Sequence, residues 1–373
     1  MRRKTRPPAE FAPPRTVGYN RDVKSWDAVV IGAGVIGLSV ALELNKRGCR
    51  VLVIERSEPG REASHAAGGM LAHCDPHNDE KLQALAKASA EMYPEFVREL
   101  EDETGVRIDL RRDGTISFHD EGEPSGCGHR MTDEELTAKE PRLVPPGLAY
   151  FLPEACLDPR RLVEALSKSL HHRRVDIATG PKVIAVETAE RKVTAVCTEK
   201  STYPTAVAIN CAGAWASNIT PVSLRTRPVK GQMLSIVPKH GMHFPLRHVV
   251  RSEGCYLIPR SDGRIVIGAT VEEAGFDKQV RPDTIQRLHQ AAAYLMPELS
   301  EGRILEAWSG LRPGTPDGLP MLGETSYLGY LAATGHFRDG ILLAPITARI
   351  IAELTEGQTP EMNLIPFAPE RFR

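Results

Sequence analysis

Residues 26–56 read "WDAVVIGAGVIGLSVALELNKRGCRVLVIER", and the fold turns on how this stretch is read. Ala28 to Ile31 is a short apolar run, as a buried parallel strand requires. Gly32, Gly34 and Gly37 follow it at G-x-G-x-x-G spacing. Val35 to Arg47 predicts a helix with Ile36, Val40 and Leu44 on one face, and Gly48 ends it. Arg50 to Ile54 predicts a second strand that closes at Glu55. Each piece has a physical role. Gly32 permits a tight turn, Gly34 lets a pyrophosphate approach the backbone, and Gly37 lets the helix pack on the strand. The helix N-terminus offers unpaired amides and a partial positive charge to phosphates. Glu55 suits ribose hydroxyls and disfavours a 2′-phosphate, which argues against NADP. A lone glycine fingerprint is weak. Strand, loop, helix, strand and terminal acid in register predict an α/β, Rossmann-like dinucleotide unit.

The rest of the composition narrows the options. The chain has 373 residues, more than one ordinary core holds, so two domains or one large composite are expected. Hydrophobic residues make up 41% and charged residues 25%, the balance of an ordinary globular chain. A formal net charge of −1 leaves no basic field over the whole, which argues against nucleic acid as the main partner. No apolar run approaches the roughly 20 residues of a membrane helix, so no span is expected. Seven cysteines (49, 74, 127, 156, 197, 211, 255) are scattered, odd in number and never form C-x-x-C. That argues against a disulfide framework or a structural zinc site, and for a reducing cytoplasm. The histidines, including His171, His172, His243 and His248, have no metal-ligand spacing, so no metal is expected, although His248 could sit near the roof of the pocket. Residues 1–25 are basic, rich in proline and nearly free of aliphatic side chains, which predicts a flexible tail.

Glu55 suits the adenosine ribose of FAD or of NAD, so later segments must decide. "GREASHAAGGMLAH", Gly60 to His73, is a small-residue stretch suited to backbone packed against a flat ligand. "TAVAINCAGAWAS", Thr205 to Ser217, reads as a return strand running into small residues. "YLAATGHFRDGILLAPITARIIAEL", Tyr330 to Leu354, reads as strand, glycine turn and a helix starting near Gly340. That helix N-terminus suits the electron-rich end of a reduced flavin. Only one dinucleotide fingerprint and no vicinal redox cysteines are present, which separates the chain from flavin disulfide reductases. "GCYLIPRSDGRIVIGAT", Gly254 to Thr270, alternates about a Ser-Asp-Gly turn and predicts a hairpin.

Five motifs, "VVIGAGVIGLSVALEL", "EASHAAGGMLA", "GCYLIPR", "WSGLRPGTPDGLPMLG" and "ATGHFRDGILLAPITA", span residues 26–354. With them the chain resembles the FAD-dependent amine oxidases of the D-amino-acid oxidase superfamily, and within it the glycine oxidases of thiamine biosynthesis. The resemblance implies a discontinuous FAD-binding domain (26–95, 155–222 and 306–373) and an antiparallel-sheet substrate domain (96–154 and 223–305). It implies flavin contacts at Gly32, Gly34, Gly37, Glu55, Arg56, Ser64, His65, Ala67, Gly68, Gly69, Met70, Val183, Cys211, Gly213, Gly335, His336, Arg338, Gly340 and Ile341. Met70 and Ala72 would line the flavin and the substrate pocket.

The resemblance also implies oxidative deamination of glycine and small amines such as sarcosine or D-alanine. The acceptor would be oxygen, the products hydrogen peroxide and an imine for thiazole synthesis, and the enzyme a homo-oligomer, often a tetramer. Hydride transfer from Cα to a flavin needs little acid–base help, so the lack of an obvious nucleophile does not count against it. Arg312, in "GLRPGTPDG", would grip the substrate carboxylate with its planar fork. Tyr256 would meet the same carboxylate, and Arg338 would stand near the flavin and the pocket mouth. His65 has two readings: a residue along the pyrophosphate or ring edge, or a covalent flavin link as in relatives that oxidise N-methylglycines. Two rival functions remain open at this point. One is a D-amino-acid or N-methyl-amino-acid dehydrogenase that passes electrons to a quinone or protein. The other is a non-catalytic flavoprotein subunit, against which Arg312 and Tyr256 both argue.

Overall fold

A computed structural model describes residues 25–76, 78–119, 127–239 and 244–372. The tail expected at 1–25 and His243 lie outside these residues, apart from Ser25. Strand Ala28–Ile31 is buried at every position and runs in parallel between strands Val51–Glu55 and Ala208–Asn210. Its pleat sends alternate side chains to opposite faces. Ala28 and Val30 join a core with helices Val35–Lys46, Glu80–Thr104, Pro159–His172 and Ala344–Thr355. Val29 and Ile31 face the other way, onto a three-stranded antiparallel sheet (Val183–Ala189, Lys192–Thr198 and Thr202–Pro204). A strand covered on both faces has no polar side to show, which is why its sequence is a continuous apolar run.

The full sheet has six strands, ordered Met321–Glu324, Tyr330–Thr334, Ala208–Asn210, Ala28–Ile31, Val51–Glu55 and Asp176–Thr179. All neighbours are parallel except the first pair. The dinucleotide unit thus forms as its spacing predicts, with the helix at Val35–Lys46 and Gly48 in the left-handed region at φ 87°.

Above it lies a mixed eight-stranded sheet, ordered Arg303–Gly314, Arg227–Val237, Ile265–Gly268, Tyr256–Pro259, Val249–Arg251, Thr115–His119, Leu148–Leu152 and His129–Arg130. The hairpin expected over Gly254 to Thr270 is present as the antiparallel pair Tyr256–Pro259 and Ile265–Gly268. Helix Pro282–Leu295 packs on this sheet through Ile285, Leu288 and Ala292.

Three expectations need correction. The last helix begins at Ala344, not near Gly340. Residues 339–343 form a single turn closed by the Leu343 amide donating to the Asp339 carbonyl, and Pro345 occupies the first helical turn, where its missing donor costs nothing. A boundary at 306 falls inside strand Arg303–Gly314, which pairs along its length with Arg227–Val237 and so lies in the eight-stranded sheet. Finally, the cysteines are not all free: Cys74 and Cys127 are joined by a disulfide across 53 residues of sequence. Their separation gave no local signal, because the contact arises only when the loop after Met70–Leu71 meets the approach to His129–Arg130. Among the described residues no helix is long and apolar enough to cross a membrane.

Candidate active site

A cavity of about 1010 Å³ runs between the two sheets. Its floor starts at the glycine loop. Gly32 has φ 101°, and a Cβ on Gly37 would lie 1.9 Å from the Gly32 carbonyl oxygen, so the helix can sit this close to the strand only without a side chain there. Gly34 differs: its nearest obstacle is the Ser64 hydroxyl at 3.4 Å, and it faces the cavity. The Ser64 hydroxyl accepts from the Val35 amide at 2.9 Å, and Glu55 Oε2 accepts from the Ala33 amide at 2.8 Å. Ser57 donates through its amide and hydroxyl to Glu55 Oε1. A carboxylate can accept about four hydrogen bonds, so Glu55 holds the loop in shape and keeps capacity for a ligand.

One end of the cavity is walled by Glu55, Arg56, Lys182, Val183 and Trp215. The Arg56 guanidinium lies 3.6 Å from the centre of the Trp215 ring, and Trp215 stacks on Phe276 with centroids 5.2 Å apart. Arg56 Nη2 also donates to Glu62 at 2.8 Å. The middle is lined by Ser64, Ala67, Gly68, Gly69 and Met70 from one side and by Cys211 and Gly213 from the other. Cys211 is buried, which pushes its thiol well above the usual range and keeps it unreactive.

The other end carries the convergent polar groups. Arg312 projects from strand Arg303–Gly314, and Tyr256 from strand Tyr256–Pro259. The two strands are separated by two others, yet the side chains come within hydrogen-bonding reach. Gly231 makes this possible: a Cβ there would lie 2.3 Å from Arg312 Nη1. Arg312 Nη1 donates to the Thr270 carbonyl at 3.0 Å, which fixes the guanidinium plane. Among the described residues no carboxylate pairs with it. Burial raises the Tyr256 phenol above its ordinary range, although the neighbouring Arg312 cation pulls it down, so the hydroxyl keeps its proton at neutral pH.

The segment after strand Tyr330–Thr334 closes this end with His336, Phe337, Arg338, Asp339, Gly340 and Ile341. His336 is buried and bonded to the Thr347 hydroxyl at 3.1 Å; burial drives it down to about 3, so it is neutral. Burial pushes the Asp339 carboxyl up to about 6, against the attraction of Arg338. Arg338 itself is exposed beside Phe337. Nearby, Arg251 is paired with Asp75 and Glu154, each at 3.1 Å.

Three sequence candidates do not line the cavity. Gly37 and Gly335 act behind the wall, one under the helix and one against Thr315. His65 is the third. Helix Ala63–Ala66 turns Ala63, Ser64 and Ala66 to the cavity and His65 away from it. Burial, with the Arg160 and Arg61 cations, lowers the His65 pKa, and Arg160 donates to its carbonyl. This disposition supports neither the ring-edge nor the covalent reading. His248 is also elsewhere, buried against Glu140 at 2.7 Å. Sequence reading missed Gly231, the Arg251 cluster and the Arg56–Trp215 stack; each is a contact between distant segments with no local pattern to announce it.

A cavity with a glycine floor, a ribose-competent acid in its wall and, elsewhere in the wall, a guanidinium with no described acid against it fits a dinucleotide. Comparison with known proteins agrees. Residues 27–354 match the family model described as FAD dependent oxidoreductase. The chain is 36% identical over 363 residues to the bifunctional protein ThiO/ThiG of Trichormus variabilis, covering 93% of this chain and 55% of that one. It thus spans about half the length of such bifunctional relatives. With the glycine oxidase of Pseudomonas aeruginosa it shares 35% identity over 358 residues, covering 91% of this chain and 98% of that one. The crystal structure of glycine oxidase from Geobacillus kaustophilus superposes with a TM-score of 0.88 at 30% identity, over 94% of this chain and 99% of the other.

Proposed function

The chain belongs to the FAD dependent oxidoreductase family, and on that premise we propose that it oxidises glycine and small amines such as sarcosine and D-alanine. The products are an imine or 2-oxo acid and hydrogen peroxide. One observation carries the reading: Arg312 lines the cavity with no described acid against it, beside a protonated tyrosine. A half-buried fork of this kind is satisfied by a carboxylate from outside the chain.

In this reading the cofactor takes Gly32, Gly34, Glu55, Arg56 and Val183 for its adenosine and pyrophosphate. Met70, Cys211, Gly213 and the run from His336 to Ile341 surround its ring. When bound, FAD supplies the two-electron acceptor for the hydride of the substrate Cα and the route from there to oxygen. The protein's own groups do the rest. Arg312 holds the carboxylate by two parallel N–H donors, and the Tyr256 hydroxyl donates to it as well. With the carboxylate fixed, the amine and Cα have one orientation left, which replaces acid–base catalysis by positioning. Neutral His336 adds no charge that would repel an ammonium or an arginine. Ala72, small and at the wall, leaves room for a short substrate.

The two-layer division into a flavin domain and a substrate domain, a cytoplasmic location, a homo-oligomeric state and oxygen as acceptor belong to the same proposal. So does supply of glycine imine to thiazole synthesis, for which the likeness to a ThiO/ThiG protein is the support. The test is a panel of small amines in air-saturated buffer, with peroxide release measured beside reduction of an artificial dye. Peroxide formed in step with glycine consumption supports the oxidase. Dye reduction without peroxide would replace it by a dehydrogenase.

A further inference from the structure

Cys74, flanked by the cavity-lining residues Ala72 and Asp75, is joined to Cys127 across 53 residues. His73 lies with them, one of its ring nitrogens and both sulfurs all within 4.8 Å of one another. The His73 Nδ1 lies 3.3 Å from the Leu71 carbonyl, where it donates and leaves Nε2 as the basic atom. Cys74 is buried and Cys127 is exposed. The Cys74 side of the bridge continues directly into the cavity wall, which Ala72, Asp75 and Asn78 line. The Cys74 amide donates to Glu154 Oε1 at 3.1 Å, and Glu154 holds cavity-lining Arg251. The bridge is therefore wired to the wall through one carboxylate.

We propose that Cys74 and Cys127 form a reversible, peroxide-sensitive clasp that sets the affinity of the cavity for its carboxylate ligand. The oxidant is hydrogen peroxide, which the proposed oxidase would make in this cavity; to that extent the inference rests on that reading. In the reduced form His73 Nε2 takes the proton of the exposed Cys127 thiol. The thiolate attacks one peroxide oxygen: an S–O bond forms, the O–O bond breaks, and hydroxide leaves as water with the proton from His73. Cys74 then attacks the Cys127 sulfenic acid: the S–S bond forms, the S–O bond breaks, and a second water leaves with the Cys74 proton. Two thiols are oxidised and one peroxide is reduced. Selectivity follows from the other cysteines. Cys156, Cys197, Cys211 and Cys255 are buried and Cys49 is half-buried, and burial raises the thiols of all five above the ordinary range, so they stay protonated and slow.

The experiment uses the full chain loaded with FAD, reduced with a phosphine and then given one equivalent of hydrogen peroxide. Differential alkylation and peptide mapping should find the Cys74–Cys127 bridge and five thiols still open. Glycolate, a carboxylate without an amine, then reports the cavity through its perturbation of the flavin spectrum. Its Kd should differ roughly threefold or more between bridged and reduced protein, because the bridge restrains the wall that carries Ala72, Asp75 and the Glu154–Arg251 pair. Cys127→Ser should hold the reduced Kd and ignore peroxide, while Cys74→Ser should form no bridge, stop at the Cys127 sulfenic acid and lose the shift in Kd. Two thiols that remain open after peroxide, or one Kd for both forms, would overturn the proposal. So would zinc alone bound one to one by the reduced protein and released by Cys127→Ser, which would make the trio a metal site. Added peroxide and glycolate need no turnover. A bridge that forms and shifts Kd in a protein inert towards glycine would defeat the proposed oxidase and leave the clasp standing.

Discussion

In the proposed function the two sheets that enclose the cavity hold their ligands by different means. The six-stranded floor works through backbone: a glycine turn, first-turn amides and a strand end whose acid braces the loop. The eight-stranded roof works through side chains that converge from separate strands, Arg312 and Tyr256 above all. A backbone site is built from consecutive residues and fails when one atom too many is added. A side-chain site is assembled across the sheet and fails when a functional group is removed.

The sharpest way to break the floor is Gly37→Val. Its Cβ would lie 1.9 Å from the Gly32 carbonyl oxygen, a backbone atom with nothing flexible to yield. Overpacking costs about 1–3 kcal/mol when side chains can shift and more when they cannot. The variant should be insoluble or colourless, read as FAD absorbance per mole of protein. The roof should separate cleanly from this. Arg312→Met should lower kcat/KM for glycine by about 10³, the scale of removing one partner from a buried charged pair, with FAD content unchanged. A loss of FAD on this change would erase the distinction between the sheets. Tyr256→Phe removes one hydrogen bond to a charged group and should cost about tenfold to a hundredfold in the same ratio.

The smallest effect lies where floor and roof meet, in the pH dependence of stability. His336 is lowered to about 3 from 6.5, so its contribution is complete above pH 6.5 and is lost as pH falls towards 3. Asp339 is raised to about 6 from 3.8, so its contribution is complete below 3.8 and is lost as pH rises through 6. Between pH 7 and 5 the two nearly cancel. His336→Asn should turn acidification over that range into a gain of about 1 kcal/mol, and Asp339→Asn into a loss of about 2 kcal/mol, read from urea midpoints.

The same contrast explains what the sequence disclosed. The floor was legible because its parts are neighbours in the chain: strand, glycines, helix and Glu55 occupy one unbroken stretch. The roof hairpin was legible from alternation, but the roles of Arg312 and Tyr256 came only through a family resemblance. No local pattern says that Gly231 vacates the space Arg312 fills, or that Cys74 meets Cys127. His65 sits in a motif that does reach the cavity; its own position on a one-turn helix decides that it points away. The last helix starts at Ala344 rather than near Gly340 because Gly340 belongs to the preceding turn and the start signal is Pro345, a first-turn proline.

In the proposed function floor and roof act on one small acid together, and an anaerobic titration of the FAD-loaded chain is the decisive experiment. Glycine should bleach the flavin band at saturable concentrations, while methylamine, which lacks the carboxylate for Arg312, should need at least about a hundredfold more. Equal bleaching by the two amines, or none by glycine, would contradict the account.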